Sequence, residues 1–204
     1  EPMGGHDPYS NSKGCAELVT SAYRNSFFND MDSAFLASAR AGNVIGGGDW
    51  ADDRLIPDIL RAFEKQQPVI IRNPKSTRPW QHVLEPLSGY LVLAQHLYLE
   101  GKGYDEAWNF GPKDEDCRSV SWILDKMVCY WGKGAKWELD GEKNPHEATF
   151  LKLDCSKAKA RLEWEPKWNL DHTLNLIINW HRGWMSSKNM YEHCLMEIED
   201  YLKN

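Results

Sequence analysis

Amphipathic helical patterns alternate with short apolar runs along the chain of 204 residues. In residues 8–28, apolar side chains recur at helical spacing with Glu17 and Arg24 on the other side, which predicts a helix. The other predicted helices cover residues 55–63, 85–99, 119–131, 154–162, 170–184 and 190–202. The predicted strands or extended segments cover residues 35–40, 68–72, 77–83, 108–112 and 137–139. This alternation favours an α/β fold.

Capping residues indicate where several of these helices begin. Pro8 suits a first helical turn because its missing N–H would be unpaired there, and Asp7 can cap the free amides. Ser119 or Ser121 can cap the helix that begins near residue 119. The helix at residues 170–184 is predicted to be entered through Asp171.

A run of glycines, Gly46-Gly47-Gly48, follows the first predicted strand. Consecutive glycines allow backbone conformations and close approaches that other residues do not. Two interpretations stay open, a loop that closes over a ligand and a flexible connector. The run lacks the spacing of a dinucleotide-binding fingerprint, and no predicted helix begins on it.

Tryptophan is abundant, with ten residues in the chain, and several of them crowd the last quarter. Core and helix packing is favoured over a sugar-stacking platform for these side chains. They are Trp164, Trp168, Trp180 and Trp184.

Composition narrows the classes of function. The net charge of −6 argues against nucleic-acid binding through a basic surface, although it allows a local basic pocket for a phosphorylated ligand. No apolar run reaches the ~18 residues that a membrane span needs, and we expect no signal peptide. The five cysteines form no Cys-x-x-Cys pair, which argues against a disulfide framework or a zinc site and favours a reducing cytoplasm. The chain opens on Glu1 rather than Met, and we expect it to be cut within a domain.

The candidate chemistry lies near the start of the chain, in Tyr9 and Lys13. Their spacing places both side chains on one face of the predicted helix. An ammonium beside a phenol favours the phenolate, so the tyrosine can take a proton from a substrate hydroxyl. An enzyme that oxidises an alcohol by hydride transfer to a nicotinamide needs such a pair. An exposed helix face with Tyr and Lys for solubility would have the same spacing, so the pair alone leaves both interpretations open.

An ordered set of motifs runs through nearly the whole chain. They are Tyr9-x-x-x-Lys13, Ala39-Arg40-x-x-Asn43-x-x-Gly46, Arg54-Leu55-Ile56-Pro57, Ile71-Arg72-Asn73-Pro74, Arg78-Pro79-Trp80-Gln81-His82-Val83-Leu84-Glu85-Pro86, Asn109-Phe110-Gly111, His146-Glu147-Ala148-Thr149 and Asp154-x-Ser156-Lys157-Ala158. With them the chain resembles the C-terminal part of an extended short-chain dehydrogenase/reductase. The run from Arg78 to Pro86, with Gly-Gly-Asp-Trp upstream, is similar to the CDP-glucose branch of the NAD-dependent sugar-nucleotide 4,6-dehydratases.

The resemblance implies NAD as the cofactor and CDP-glucose as the substrate. Tyr9 would deprotonate the glucose 4-hydroxyl, and Lys13 would favour ionisation of the tyrosine and hydrogen-bond the nicotinamide ribose. Arg40 and Val44 are the other expected cofactor contacts. The expected substrate contacts are Asn43 and Arg78 at the diphosphate, and Arg54, Leu55, Val69, Ile70, Ile71, Asn109 and His146 elsewhere on the nucleotide sugar. A surface-loop histidine is the alternative for His146.

The resemblance also implies an architecture, an extended Rossmann-type α/β fold with a smaller mixed α/β substrate lobe. Residues 1–50 would end the dinucleotide-binding domain, and residues 51–204 would form mainly the sugar-nucleotide lobe, with segments that return to the Rossmann core. The activity would be that of a cytoplasmic lyase of deoxysugar biosynthesis, such as that of lipopolysaccharide O-antigen. The family commonly dimerises through a bundle that includes the Tyr9 helix, so we expect a homodimer or higher homo-oligomer.

The sequence also departs from the family pattern. The glycine-rich half and the acid and base residues that the family places before Tyr9 are absent. We therefore expect the isolated chain to show no dehydratase activity, no measurable NAD affinity and exposed strand edges that lower its stability. Two alternatives stay open for the function. One is another NDP-sugar dehydratase or 4-epimerase on the same scaffold, and the other is an inactive sugar-nucleotide-binding fragment.

Overall fold

The computed structural model describes residues 7–30, 34–141 and 151–203, and helices and strands alternate along them. The helices are Pro8–Phe27 (α1), Leu55–Glu64 (α2), Leu84–Leu99 (α3), Val120–Trp131 (α4), Ser156–Leu162 (α5), Leu170–Met185 (α6) and Met190–Lys203 (α7). The strands are Ser38–Ala41 (β1), Asn43–Ile45 (β2), Val69–Ile71 (β3), Thr77–His82 (β4), Ala107–Phe110 (β5), Cys117–Ser119 (β6) and Trp137–Leu139 (β7). A short 3₁₀ helix covers Asp114–Asp116.

The described strands form three small sheets. β1 pairs with β5 and β3 pairs with β7, both in parallel. β4 pairs in parallel with β2 and antiparallel with β6. Parallel pairs need long crossover connections, usually helical, and such connections lie between these strands. The predicted α/β class is therefore confirmed.

The chain divides into two compact units. The first unit comprises residues 1–41, 87–110 and 154–165. The Glu106 carboxylate forms ion pairs with two residues of α5, Lys157 and Arg161, the latter at 3.0 Å. These ion pairs fix α5 beside β5. The buried apolar side chains of this unit are Leu93, Trp108, Phe110, Ala158, Leu162 and Trp164.

The second unit comprises residues 42–86, 111–153 and 166–204. Its largest buried cluster consists of Ile45, Ile56, Ile59, Leu60, Phe63, Val69, Ile71, Trp80, Ile123, Leu124, Met127, Leu170, Leu174, Ile177 and Ile178. Beside this cluster, the buried carboxylate of Glu85 accepts hydrogen bonds from the Lys167 and Trp168 amides and from the Tyr201 hydroxyl, at 3.0, 2.8 and 2.7 Å. Because a buried charge is costly unless it is hydrogen-bonded, these bonds fix the chain before α6 and the end of α7.

Local side-chain capping explains the starts of α1, α4 and α6. The Ser10 amide donates to Asp7 at 2.9 Å, and the Trp122 amide donates to Ser119 at 3.3 Å, so the caps predicted for α1 and α4 are confirmed. The prediction that Asp171 leads into α6 is wrong. Asn169 has the extended backbone of a cap residue, and its side chain accepts the His172 amide at 2.8 Å. Asp171 lies in the first turn instead, where it pairs with Lys126 at 2.7 Å.

The glycine run is packed against α6. A Cβ atom at Gly47 would lie 2.2 Å from the Trp180 ring, which only a glycine avoids. After the run, the Trp50 ring packs against Trp184 with centroids 4.5 Å apart. Close packing on the helix therefore requires a glycine at position 47, a reason that neither sequence interpretation includes.

The tryptophans of the last quarter mostly serve the core, as predicted. Trp164, Trp168 and Trp180 are buried. Trp184 is partly exposed and contacts the Trp50 ring. Among the described residues, no helix is long and apolar enough to cross a bilayer.

One buried carboxyl gives the fold a dependence on pH. Burial of Glu197 in α7 raises its pKa to about 7, and its Oε1 lies 3.5 Å from His193 Nε2. Since this pKa lies above the value of 4.5 for an unfolded glutamate, the folded state binds the extra proton between these pH values. The free energy of unfolding should therefore fall as pH rises from about 5 through 7.

Glu197→Gln should remove this slope, because the amide imitates the protonated carboxyl. At pH 8 the variant should exceed the parent in the free energy of unfolding by up to about 3 kcal/mol. Urea denaturation at pH 5, 6, 7 and 8 measures the effect. The control is Glu199→Gln on the exposed side of the same helix, which should keep the parent's slope. An unchanged slope in Glu197→Gln would contradict the assignment.

Candidate active site

Tyr9 and Lys13 meet on the outer surface of α1. The cap by Asp7 fixes the first turn, and the Lys13 Nζ lies 5.3 Å from the centroid of the Tyr9 ring. Tyr9 is 69% exposed, and Lys13 is exposed as well. An accessible phenol beside an ammonium can exchange a proton with a hydroxyl group that approaches this face of the helix.

The other two predicted residues of the first unit, Arg40 and Asn109, lie opposite each other in the β1–β5 ladder. Arg40 Nε lies 3.5 Å from Glu17 Oε1. The Asn109 side-chain amide donates to the Asp154 carbonyl at 2.9 Å. The structure thus gives both side chains partners within the unit, and Asn109 fixes the segment that leads into α5.

The sheet β2–β4–β6 brings Asn43 and Arg78 to one face. Asn43 is the register partner of Trp80, and Arg78 lies two positions before Trp80 on the same strand. Paired residues and alternate residues of a strand share a face, so all three side chains project to the same side. Both predicted diphosphate contacts are half-buried, and Arg78 Nη1 donates to the Thr77 carbonyl at 3.0 Å.

A glycine permits this arrangement. A Cβ atom at Gly42 would lie 2.4 Å from the Pro79 carbonyl oxygen, so only glycine lets the chain before Asn43 approach β4 this closely. On the same face, Trp80 is buried and its Nε1–H has no hydrogen-bond partner among the described residues.

The remaining predicted contacts of the second unit differ in exposure. Arg54 is exposed at the N-terminus of α2, and Leu55 begins the helix half-buried. In β3, Ile70 is 55% exposed whereas Val69 and Ile71 are buried in the core. Strand alternation therefore leaves Ile70 as the residue of β3 whose side chain is available to a ligand.

Two further predicted residues complete the set. Val44 of β2 is exposed at 40%, and it lies opposite Gln81. His146 lies outside the described residues. Among the described residues, no cluster of His, Cys, Asp or Glu has the composition to hold a metal ion.

Sequence reasoning missed one basic residue on the β2–β4–β6 sheet. Arg118 of β6 is the register partner of Arg78, so both guanidinium groups project from the same face. A strand of three residues gives no detectable periodicity, and the signal for Arg118 exists only in the pairing of the strands.

Comparison with known proteins gives the chain close relatives. Residues 1–177 match the family model described as GDP-mannose 4,6 dehydratase. The chain is 64% identical over 206 aligned positions to CDP-glucose 4,6-dehydratase of Salmonella typhimurium, which covers 99% of this chain and 57% of that protein.

Solved structures share the fold at lower identity. The dTDP-glucose 4,6-dehydratase of Bacillus anthracis, in complex with NAD, has a TM-score of 0.69 at 17% identity, over 89% of this chain and 54% of that one. The epimerase Mth375 of Methanothermobacter thermautotrophicus has a TM-score of 0.74 at 21% identity, over 90% of this chain and 53% of that one. The chain thus spans about half the length of the proteins that it matches. Since the family model covers residues 1–177, the chain belongs to the GDP-mannose 4,6-dehydratase family.

Proposed function

We propose that the full-length protein that contains this sequence converts CDP-glucose to CDP-4-dehydro-6-deoxy-glucose. The observation that carries the proposal is the 64% identity to a CDP-glucose 4,6-dehydratase over 99% of the chain. The aligned positions extend over nearly the whole chain, and so over the segments in which the proposed nucleotide-sugar contacts lie. The reaction oxidises C4, removes water across C5–C6 and returns the hydride to C6, and it belongs to deoxysugar biosynthesis.

Tyr9 is the proposed base at the 4-hydroxyl, and Lys13 is its partner. The outer face of α1 fits a nicotinamide cofactor because the phenol and the ammonium are adjacent and both accessible. When bound, NAD supplies the hydride acceptor for this chemistry. Tyr9 would take the hydroxyl proton, and Lys13 would hold its positive charge beside the phenolate and bind the cofactor's ribose. Arg40 and Val44 are proposed as additional cofactor contacts.

Asn43 and Arg78 are the proposed ligands of the diphosphate. Their common sheet face is supported by the register of β2 and β4. A guanidinium donates two parallel hydrogen bonds to phosphate oxygens, and an amide adds a neutral donor beside it. Further proposed contacts to the nucleotide and the sugar are Arg54, Leu55, Val69, Ile70, Ile71, Asn109 and His146.

We also propose that the protein forms a homo-oligomer in which α1 contributes to the interface. Leu18, Val19, Tyr23 and Phe27 are all exposed on this helix. Monomeric proteins rarely expose contiguous apolar surface of this kind, so a second copy would remove it from water.

The experiment follows deuterium placed at C4 of CDP-glucose. With the full-length protein and NAD, the product should be lighter by one water, and the deuterium should appear at C6. A 4-epimerase would instead return the deuterium to C4 without loss of water, and an inactive binding protein would leave CDP-glucose unchanged. The same assay with UDP-, GDP- and dTDP-glucose tests the nucleotide, since turnover with CDP-glucose should exceed the others. Return of the deuterium to C4, unchanged CDP-glucose, or faster turnover of another nucleotide sugar would overturn the proposal.

A further inference from the structure

Two arginines face the same side of one sheet at directly opposed positions. Arg78 of β4 and Arg118 of β6 are partners in the antiparallel ladder. The Cβ atoms of such a pair lie about 4.5–5.5 Å apart, and like charges directly opposite each other destabilise a sheet. The fold therefore places the two guanidinium groups at neighbouring positions, where one anion with several oxygens can contact both.

The charge of Arg118 is accessible on this face of the sheet. The Arg118 guanidinium stacks on the Trp122 ring at 5.3 Å and is exposed. Among the described residues it forms no ion pair with a carboxylate. Of the neighbouring carboxylates, Asp114 pairs with Lys152 at 3.3 Å, whereas Asp116 accepts the Leu170 amide at 2.9 Å and also interacts electrostatically with Arg118.

Trp122 keeps Arg118 in place for a ligand. The aromatic ring belongs to α4, whose N-terminus is capped by Ser119, the residue after Arg118. Stacking on an aromatic face restricts the long side chain and leaves the donors at the guanidinium edge accessible. The second arginine is therefore partly ordered before an anion arrives, which lowers the entropic cost of binding.

We propose that Arg118 is a second guanidinium of the diphosphate site, acting beside Arg78. The proposal rests on the proposed function, in which Arg78 binds the diphosphate of a nucleotide sugar. A diphosphate carries charge on two phosphoryl groups, so two neighbouring guanidinium groups match it better than one. Arg118 thereby determines affinity for nucleoside diphosphates as a class, whatever the base.

The test measures CDP binding by calorimetry to the full-length protein and to Arg118→Ala, at several salt concentrations. The alanine variant should bind CDP at least about tenfold more weakly than the parent. Its affinity should also fall less steeply with salt concentration, because one charge that salt screens has been removed. Arg118→Lys keeps the charge and should retain the parent's salt dependence with part of its affinity. The control is Lys203→Ala in the exposed last turn of α7, which removes the same charge and should bind CDP like the parent.

Parent-like CDP affinity in Arg118→Ala would overturn the proposal. A weaker affinity with an unchanged salt dependence would overturn it as well, because that pattern indicates a structural disturbance. Titration with UDP, GDP and dTDP separates this inference from the proposed function. If CDP-glucose proves not to be the substrate, Arg118→Ala should still weaken binding of all these diphosphates. If CDP-glucose is turned over and Arg118→Ala binds CDP normally, only the role of Arg118 fails.

Discussion

Tyr9→Phe should lower turnover of CDP-glucose by the full-length protein by about a hundredfold or more, as expected for loss of a general base. Phenylalanine keeps the ring beside Lys13 and removes only the hydroxyl. The side chain is exposed in the first turns of α1, so the helix and its Asp7 cap should persist. CDP-glucose should still bind, which places the loss in kcat rather than in affinity. Steady-state rates with saturating NAD, together with calorimetry of CDP-glucose, measure the two quantities separately.

Tyr98→Phe is the matched control for this variant. Tyr98 is 90% exposed on α3, so the substitution removes a phenol of similar accessibility that has no role in the proposed chemistry. Its turnover should equal that of the parent. If Tyr9→Phe also kept near-normal turnover, Tyr9 could not be the base, and the Tyr9–Lys13 pair would be an ordinary solvated helix face.

Features encoded by neighbouring residues could be predicted from the sequence. The start of α1 follows from Asp7 and Pro8, and the start of α4 follows from Ser119, because capping involves residues within one turn. Asn169 and Asp171 show the limit of this reasoning. Both residue types can cap a helix, and the choice between them depends on where the backbone leaves the extended conformation.

Features that depend on pairing between distant segments could not be predicted. The strands β2 and β6 have three residues each, too few for a period of two to appear in the sequence. Their register nevertheless determines that Asn43, Arg78 and Arg118 share a face. The close packing of Gly47 on Trp180 could not be predicted from the sequence either, because it involves residues far apart in the chain.

Residues that belong to one sequence motif can also differ in burial. Val69, Ile70 and Ile71 were predicted together as nucleotide contacts, and alternation exposes only the middle side chain of this described strand. The assignment of residues 1–50 to the dinucleotide-binding domain and of residues 51–204 mainly to the substrate lobe stays a prediction.

Arg78→Ala should weaken binding of CDP-glucose to the full-length protein by about 2–4 kcal/mol, because a charged partner of the diphosphate is lost. Without ligand, thermal stability should change little. The Arg78 guanidinium is half-buried on the sheet face that includes Asn43, and the bond from its Nη1 to the Thr77 carbonyl is local. Calorimetry with CDP-glucose and thermal unfolding of the ligand-free protein measure the two effects.

Arg182→Ala provides the opposite pattern as a control. Arg182 of α6 donates to the Tyr130 and Trp131 carbonyls at the end of α4, at 2.9 and 2.8 Å, and so connects the two helices. Its loss should lower the melting temperature and leave the affinity for CDP-glucose unchanged. If Arg78→Ala behaved like Arg182→Ala, with lower stability and normal binding, Arg78 would be a structural residue of the strand that contains Trp80. The diphosphate would then have to be bound by other residues.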